Sequence, residues 1–353
     1  MRNRLISFCV FLFVWSMLLA SCGAEKAESG AALESGITIE QEQTEKESAG
    51  AGDEAGADEG QARAGEQELP AAGEAGTPGL QGTQDDLPEA QEGTEQLEAA
   101  EPEILHFVDV FGEEYQVEID PEVEKHRYSA EGFVREGERL KYSDEGHTSR
   151  LGIDVSHHQG NIDWDAVAAG GYGFAILRIG YRGYGEEGSL KADSKFEEYY
   201  SEAKRVGLDV GVYFFAQAVN EEEAREEADF VLDILGGRQL DLPVTYDPES
   251  ILDDEARTDN VTGEQFTKNS AAFCKRISEG GYKPMIYANM LWEAYNLELK
   301  QLKGIPLWYA DYEALPQTPY NFEFWQYSNE GSVDGVEGVC DLDIQIIKLN
   351  DGD

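Results

Sequence analysis

The chain has 353 residues, and its 72 Asp and Glu outnumber 27 Lys and Arg, leaving a formal net charge of −45. Such acidity argues against nucleic-acid binding, which needs basic patches, and the length admits about two or three domains. The charge is unevenly spread, which separates the chain into segments of different character.

Met1-Arg2-Asn3-Arg4 precedes an apolar run over 5–20, followed by Ser21-Cys22. A basic start, an apolar core and small residues before a cleavage point make an export signal, and the run is short for a bilayer span. The Leu19-Ala20-Ser21-Cys22 ending resembles a bacterial lipobox, which implies cleavage before Cys22 and lipidation of its thiol. Residues 1–22 are therefore expected to be a lipoprotein signal peptide. Lipidated Cys22 would hold the protein on the extracytoplasmic, wall-facing side of the cell membrane. From 23 to 100 there is no aromatic residue, Val, Met or Cys, and 20 acidic residues stand against three basic ones. That composition cannot bury enough apolar surface to offset the entropy of ordering, so residues 23–102 are expected to form a disordered acidic linker.

Residues 104–111 and 114–119 read as two strands turning at Gly112-Glu113. The 103–148 region is too small to stand alone and is expected to pack, as a β-hairpin extension, on the residues beyond 148. From Leu151 short apolar strands alternate with amphipathic helices. Strands are predicted at Leu151–Val155, Phe174–Ile179, Val210–Phe215, Val244–Asp247, Pro284–Tyr287, Pro306–Ala310, Phe322–Tyr327 and Leu342–Ile346. Asn220 with Glu223 signals a helix start before Glu221, and Thr262 with Gln265 signals another. A third helix is predicted from Asp193 to Gly207. Cys274 falls on the apolar side of the second of these, the place of a buried free thiol. The pattern predicts an α/β fold over 149–350: an irregular TIM-like (β/α) barrel of eight strands with about five helices. A doubly wound sheet is the alternative, but no glycine-rich phosphate loop comes after the first strand.

In such a barrel the chemistry lies at the carboxyl ends of the strands. Asp247 and Glu249, two residues apart at a strand end, share a face. A pair like that suits general acid/base work, a divalent metal or merely a solvated acidic loop. The other strand ends offer Asp154, Arg178, Phe214, Tyr287, Trp308 with Asp311, Gln326 with Tyr327, and Asp341. Acids and aromatics with hardly any base suit sugar rings. A metal centre is disfavoured because His157 and His158 are adjacent and on a strand would face opposite ways.

Several motifs then carry a resemblance. Gly152-Ile153-Asp154-Val155-Ser156-His157-His158-Gln159-Gly160 is succeeded by Ile162-Asp163-Trp164, then by Phe174-Ala175-Ile176-Leu177-Arg178 and Gly211-Val212-Tyr213-Phe214-Phe215. Asp247-Pro248-Glu249, Leu307-Trp308-Tyr309-Ala310-Asp311-Tyr312, Trp325-Gln326-Tyr327 and Gly338-Val339-Cys340-Asp341-Leu342-Asp343 come after them. Over about 150–348 the chain resembles the glycoside hydrolase family 25 lysozymes, the Chalaropsis-type and phage-type N-acetylmuramidases. The resemblance implies hydrolysis of the β-1,4 bond between N-acetylmuramic acid and N-acetylglucosamine in peptidoglycan. It implies that Glu249 is the general acid, Asp247 the acid beside it, and Asp154 and Asp341 flanking carboxylates. Asp343 stands where the family commonly has Asn, and Cys340 where it has Val. Glu249 is expected to be kept protonated by like charge, with Asp247 ionised. The expected substrate contacts are Arg178, Tyr213, Phe214, Tyr287, Trp308, Asp311, Gln326 and Tyr327. Peptidoglycan glycan strands and, through the lipid, the membrane are the expected partners of a monomer with no cofactor, no metal and no nucleic acid. The competing reading is a non-catalytic peptidoglycan-binding lipoprotein, which should have lost one of Glu249, Asp247 or Asp154.

Overall fold

The computed structural model describes residues 101–251 and 254–349. The expected signal peptide, the expected lipidation site at Cys22 and nearly all of the linker lie outside those residues. Thirteen strands and four α-helices are present among the described residues.

The chain opens with a hairpin of β1 (Ile104–Val108) and β2 (Glu114–Glu118). A second hairpin, β3 (Phe133–Glu136) with β4 (Arg139–Tyr142), follows in the same region. Then come β5 (His147–Val155), α1 (Trp164–Ala169), β6 (Phe174–Arg182), the short β7 (Leu190–Ala192) and α2 (Phe196–Arg205). After these stand β8 (Asp209–Ala216), α3 (Glu221–Leu235), β9 (Val244–Pro248), α4 (Gly263–Glu279) and β10 (Pro284–Asn289). The last strands are β11 (Leu307–Ala310), β12 (Phe324–Gly331) and β13 (Cys340–Lys348).

Eight strands close a barrel in the order β5-β6-β8-β9-β10-β11-β12-β13, the ring being completed by β13 pairing with β5. Neighbours from β5 round to β12 are parallel, but β13 runs antiparallel to both β12 and β5. The expected eight strands are all present; the reversal of the last one departs from a uniformly parallel TIM arrangement. A strand can join its predecessor by a short loop only if it runs the other way, and the link from β12 to β13 is short. The helices number four rather than five among the described residues, because after β10 the chain makes only a π turn at Trp292–Asn296 and a 3-10 turn at Leu299–Leu302.

Local chemistry explains the helices. Asn220 accepts from the Glu223 amide (3.0 Å) to start α3, and Gly236 closes it in the left-handed region. Ala224, Ala228, Val231 and Leu235 form its buried stripe. Thr262 caps α4, whose buried face carries Phe266, Phe273, Cys274 and Ile277. In neither does the third residue reach back to the cap; Glu223 instead accepts from the Val219 amide. The reciprocal capping box stands at the 3-10 turn His157–Gln159, between Ser156 and Gln159.

Side chains alternate across the barrel wall. Phe174, Ile176, Met285, Trp308 and Phe324 fill the inside, while Ile153, Leu177, Val212, Phe214 and Tyr309 belong to the outer layer. Gly152 faces inward, where a Cβ would collide with the Phe174 ring. Residues of the 103–148 region pack on the outer side of the late strands. Tyr128 meets Phe322 edge-on (ring centroids 5.1 Å), and Phe133 meets Trp325 (5.3 Å).

Candidate active site

Five carboxylates gather at the barrel end where the parallel strands finish. Asp154 closes β5, Asp247 lies at the end of β9, and Glu249 stands one residue beyond that strand. Asp341 and Asp343 begin β13. In a wholly parallel barrel residues before the last strand would lie at the opposite mouth. Because β13 is reversed, Asp341 stands directly opposite Asp154 in the ladder.

Two pairs of neighbouring carboxyls organise the cluster. Asp247 lies beside Glu249, as expected for side chains two apart on one face, and Asp154 lies beside Asp343. Asp247 Oδ1 and Asp343 Oδ2 are buried with no hydrogen-bond partner among the described residues. The second oxygen of Asp343 accepts from Trp308 Nε1 (2.8 Å).

Burial is the first cause that raises all five acids. Asp154 is pushed well up by burial and then by Asp343, and Asp247 by burial and then by Glu249. Glu249 is raised by burial, while neighbouring Asp247 works the other way. Asp341 is pushed up to about 9 by burial, Asp154 and Glu249; Asp343 reaches about 8, chiefly through burial. This corrects two expectations. Like charge is not the leading cause for Glu249, and Asp247 does not stand as a free carboxylate. Asp247 is the deeper of the pair at 3% exposed, and Glu249 is half-buried.

Gln326 orients Asp154. The Tyr287 and Tyr312 hydroxyls both donate to Gln326 Oε1 (3.0 and 2.9 Å), which turns its amide Nε2 toward Asp154 Oδ2 (2.8 Å). Tyr213 lies among these groups; burial first, then Asp154, keep its phenol protonated. Arg178 is at the same end, but its Nε is spent on Asp193 (2.8 Å), which also bonds His157 (3.2 Å). Burial alone would raise Asp193, yet the Lys195 amide and Arg178 hold it below the usual carboxylate range. From behind, Gln217 Nε2 fixes the Glu249 carbonyl (2.8 Å).

The structure thus brings together Glu249, Asp247, Asp154, Asp341, Tyr213, Tyr287, Gln326 and Arg178. Other expected contacts fall elsewhere. Phe214 points outward, packing near Phe230 and Phe273 under α3 and α4. Tyr327 also faces outward, beside Trp325 and beneath Arg135 of the extension. The alternation along β8 and β12 sends both away from the barrel interior. Asp311 is occupied in the loop after β11, accepting from Tyr309 OH (2.6 Å) and from the Gln317 amide (2.9 Å). Trp308 is inside but only 1% exposed, a floor for the site rather than a sugar platform. Asp343, Tyr312 and Asp193 were not among the expected site residues. The signal for Asp343 was its even spacing from Asp341 on one strand; for Tyr312 and Asp193 only tertiary contact reveals the role. Cys274 and Cys340 are both buried and free.

The chain is 28% identical over 193 residues to an autolytic lysozyme of Clostridium acetobutylicum, covering 54% of each. It is 29% identical over 201 residues to lysozyme M1 of Streptomyces globisporus, covering 54% of this chain and 65% of that one. The chain thus matches only part of the length of these relatives. The modular autolysin LytC of Streptococcus pneumoniae, solved with a synthetic peptidoglycan ligand, superposes with a TM-score of 0.50 at 21% identity, covering 68% of this chain and 56% of that one. At that identity the likeness speaks for the fold. The family described as glycosyl hydrolases family 25 matches residues 153–336, more than half of the chain. The barrel with its reversed last strand and its knot of acids therefore belongs to glycosyl hydrolase family 25.

Proposed function

We propose that the protein is a muramidase: a peptidoglycan hydrolase that cleaves the β-1,4 bond between N-acetylmuramic acid and N-acetylglucosamine, with Glu249 as the general acid. The observation that carries this reading is the convergence of Asp154, Asp247, Glu249 and Asp341 at one mouth of a family 25 barrel. Glu249 is more accessible than Asp154, Asp247 or Asp343 and sits beyond the strand end, where a glycosidic oxygen can reach it. Burial raises Glu249 and so favours its protonated form, whose proton goes to the leaving oxygen.

The contact between Asp247 and Glu249 also bears on stereochemistry. A retaining enzyme with a carboxylate nucleophile spaces its two carboxyls about 5–5.5 Å apart to flank the anomeric carbon. Asp247 and Glu249 instead lie side by side on one face, which leaves no room for a sugar between them. This favours a route in which the 2-acetamido group of muramic acid attacks, with Asp247 steadying its nitrogen. In this reading lipidated Cys22 and the acidic 23–102 segment tether the enzyme to the outer face of the cell membrane, where it remodels the cell's own wall.

The test is digestion of purified peptidoglycan by the protein and by Glu249→Gln, with new reducing ends identified by mass spectrometry. Reducing-end muramic acid from the parent, reduced about 10²–10⁴-fold in the variant, is the expected result. Reducing-end glucosamine would mean the wrong bond, and no product with binding retained would mean a wall-binding protein.

A further inference from the structure

The β1–β2 hairpin lies outside the family-matched segment, yet its tip reaches the mouth of the barrel that carries the acids. Gln317, in the loop after β11, clamps Val108 from both sides: its Oε1 accepts from the Val108 amide (2.8 Å), and its Nε2 donates to the Val108 carbonyl (2.9 Å). Gln317 is itself bonded to Asp311, whose neighbour Tyr312 donates to the Gln326 that orients Asp154. The tip is therefore positioned relative to the acids by hydrogen bonds joined through the Asp311–Tyr312 backbone.

The turn is also locked internally. Asp109 Oδ1 accepts from the amides of Phe111 (2.9 Å) and Glu113 (3.0 Å), and Gly112 takes the positive φ of 79° that the turn requires. This rigid turn presents Val110 and Phe111, 60% and 70% exposed. Single exposed apolar residues need no explanation, but two adjacent ones on a locked turn mark a contact surface. Beside them a cavity of about 110 Å³ lies between the hairpin and the ends of β10 and β11, with Val108, Val110, Met290, Leu291 and Tyr312 in its lining.

The lining narrows the occupant. Val108, Val110, Met290 and Leu291 offer an aliphatic wall, and Asp109, Asp311 and Glu313 set carboxylates beside it, favouring an amine. A short peptide of small side chains bearing an amine fits both conditions, and in peptidoglycan such a peptide hangs from the muramic acid itself. Resting on the muramidase reading above, we propose that the hairpin tip and this cavity form a stem-peptide subsite, so that the enzyme selects peptide-bearing glycan over bare glycan.

The experiment uses the full-length protein carrying Glu249→Gln, so that ligand is bound without turnover. Its affinity is measured by calorimetry for soluble glycan chains bearing stems and for the same chains stripped by an amidase. Stem-bearing chains should bind about tenfold tighter, a difference of roughly 1.4 kcal/mol. Adding Val110→Ser with Phe111→Ser, both at exposed positions, should bring that ratio close to one with no change in Tm. Equal affinities before the substitutions, a ratio that survives them, or no binding of either chain would overturn the proposal. Hydrolysis of the stripped chains by the parent protein reports separately on the muramidase reading: absence of cleavage together with stem-selective binding would sink that reading and leave the subsite standing.

Discussion

Asp154 and Asp341 face one another at opposed positions of the β5–β13 ladder, an arrangement that only the reversal of the last strand makes possible. Like charges directly opposite each other repel, and the ladder holds them there. Asp341 is pushed up to about 9 by burial, Asp154 and Glu249, so it stays protonated near neutral pH. Asp341→Asn, neutral at every pH, should therefore leave kcat/KM close to the parent value at about pH 5–7 and differ from it only as pH passes about 9. A loss at about pH 5 as large as that at about pH 9 would count against a protonated Asp341.

Asp343 should cost stability at neutral pH. An unfolded aspartate releases its proton near pH 4, whereas folded Asp343 keeps it to about 8. Between those values the folded state binds more protons than the unfolded one, so stability falls as pH rises through that window and levels off above it. Asp343→Asn keeps an acceptor for Trp308 and gives Asp154 a donor that does not titrate. At pH 7 the variant should be more stable by up to a few kcal/mol, with the gain vanishing toward pH 4. Thermal unfolding of both proteins across pH 4–8 measures this; a gain independent of pH would refute the titration argument.

Gln326 is predicted to position Asp154 rather than to contact sugar first. Gln326→Leu removes a donor to a carboxylate, worth about 1.5–3 kcal/mol, which corresponds to roughly ten- to a hundredfold in kcat. Tyr287→Phe together with Tyr312→Phe frees the amide to turn and should produce a smaller loss of the same kind. Steady-state kinetics decide it: a change confined to KM would point to substrate binding instead.

Gly152→Ala tests the barrel interior. The added methyl meets the Phe174 ring, which is fully buried, so a shift is forced upon the packed layer. A loss of about 1–3 kcal/mol in denaturant unfolding is expected. No loss would mean that the Phe174 ring can move aside.

Much of the fold is legible in the chain because it is local. The periodicity of α3 and α4, their Asn220 and Thr262 caps, and the two-residue spacing of Asp247 and Glu249 depend only on neighbours in sequence. The alternation of strands is equally legible, but which of two adjacent residues faces inward is not: Tyr213 and Gln326 reach the site, whereas their neighbours Phe214 and Tyr327 turn to the outer layer. The reversal of β13 is hidden too, since strand direction leaves no mark on composition. The nearness of Asp154 and Asp343 comes from a pairing of chain segments far apart in sequence.

The helices lie between the early strands, and after β10 only single turns interrupt the loops. Phe322 and, on β12, Trp325 are covered instead by Tyr128 and Phe133, with Tyr142 packed on Phe133, all contributed from upstream of the family-matched residues. A cut at 149 would lay bare Phe322 and Trp325, so a domain transplant from this chain is expected to need the residues from about 103 onward.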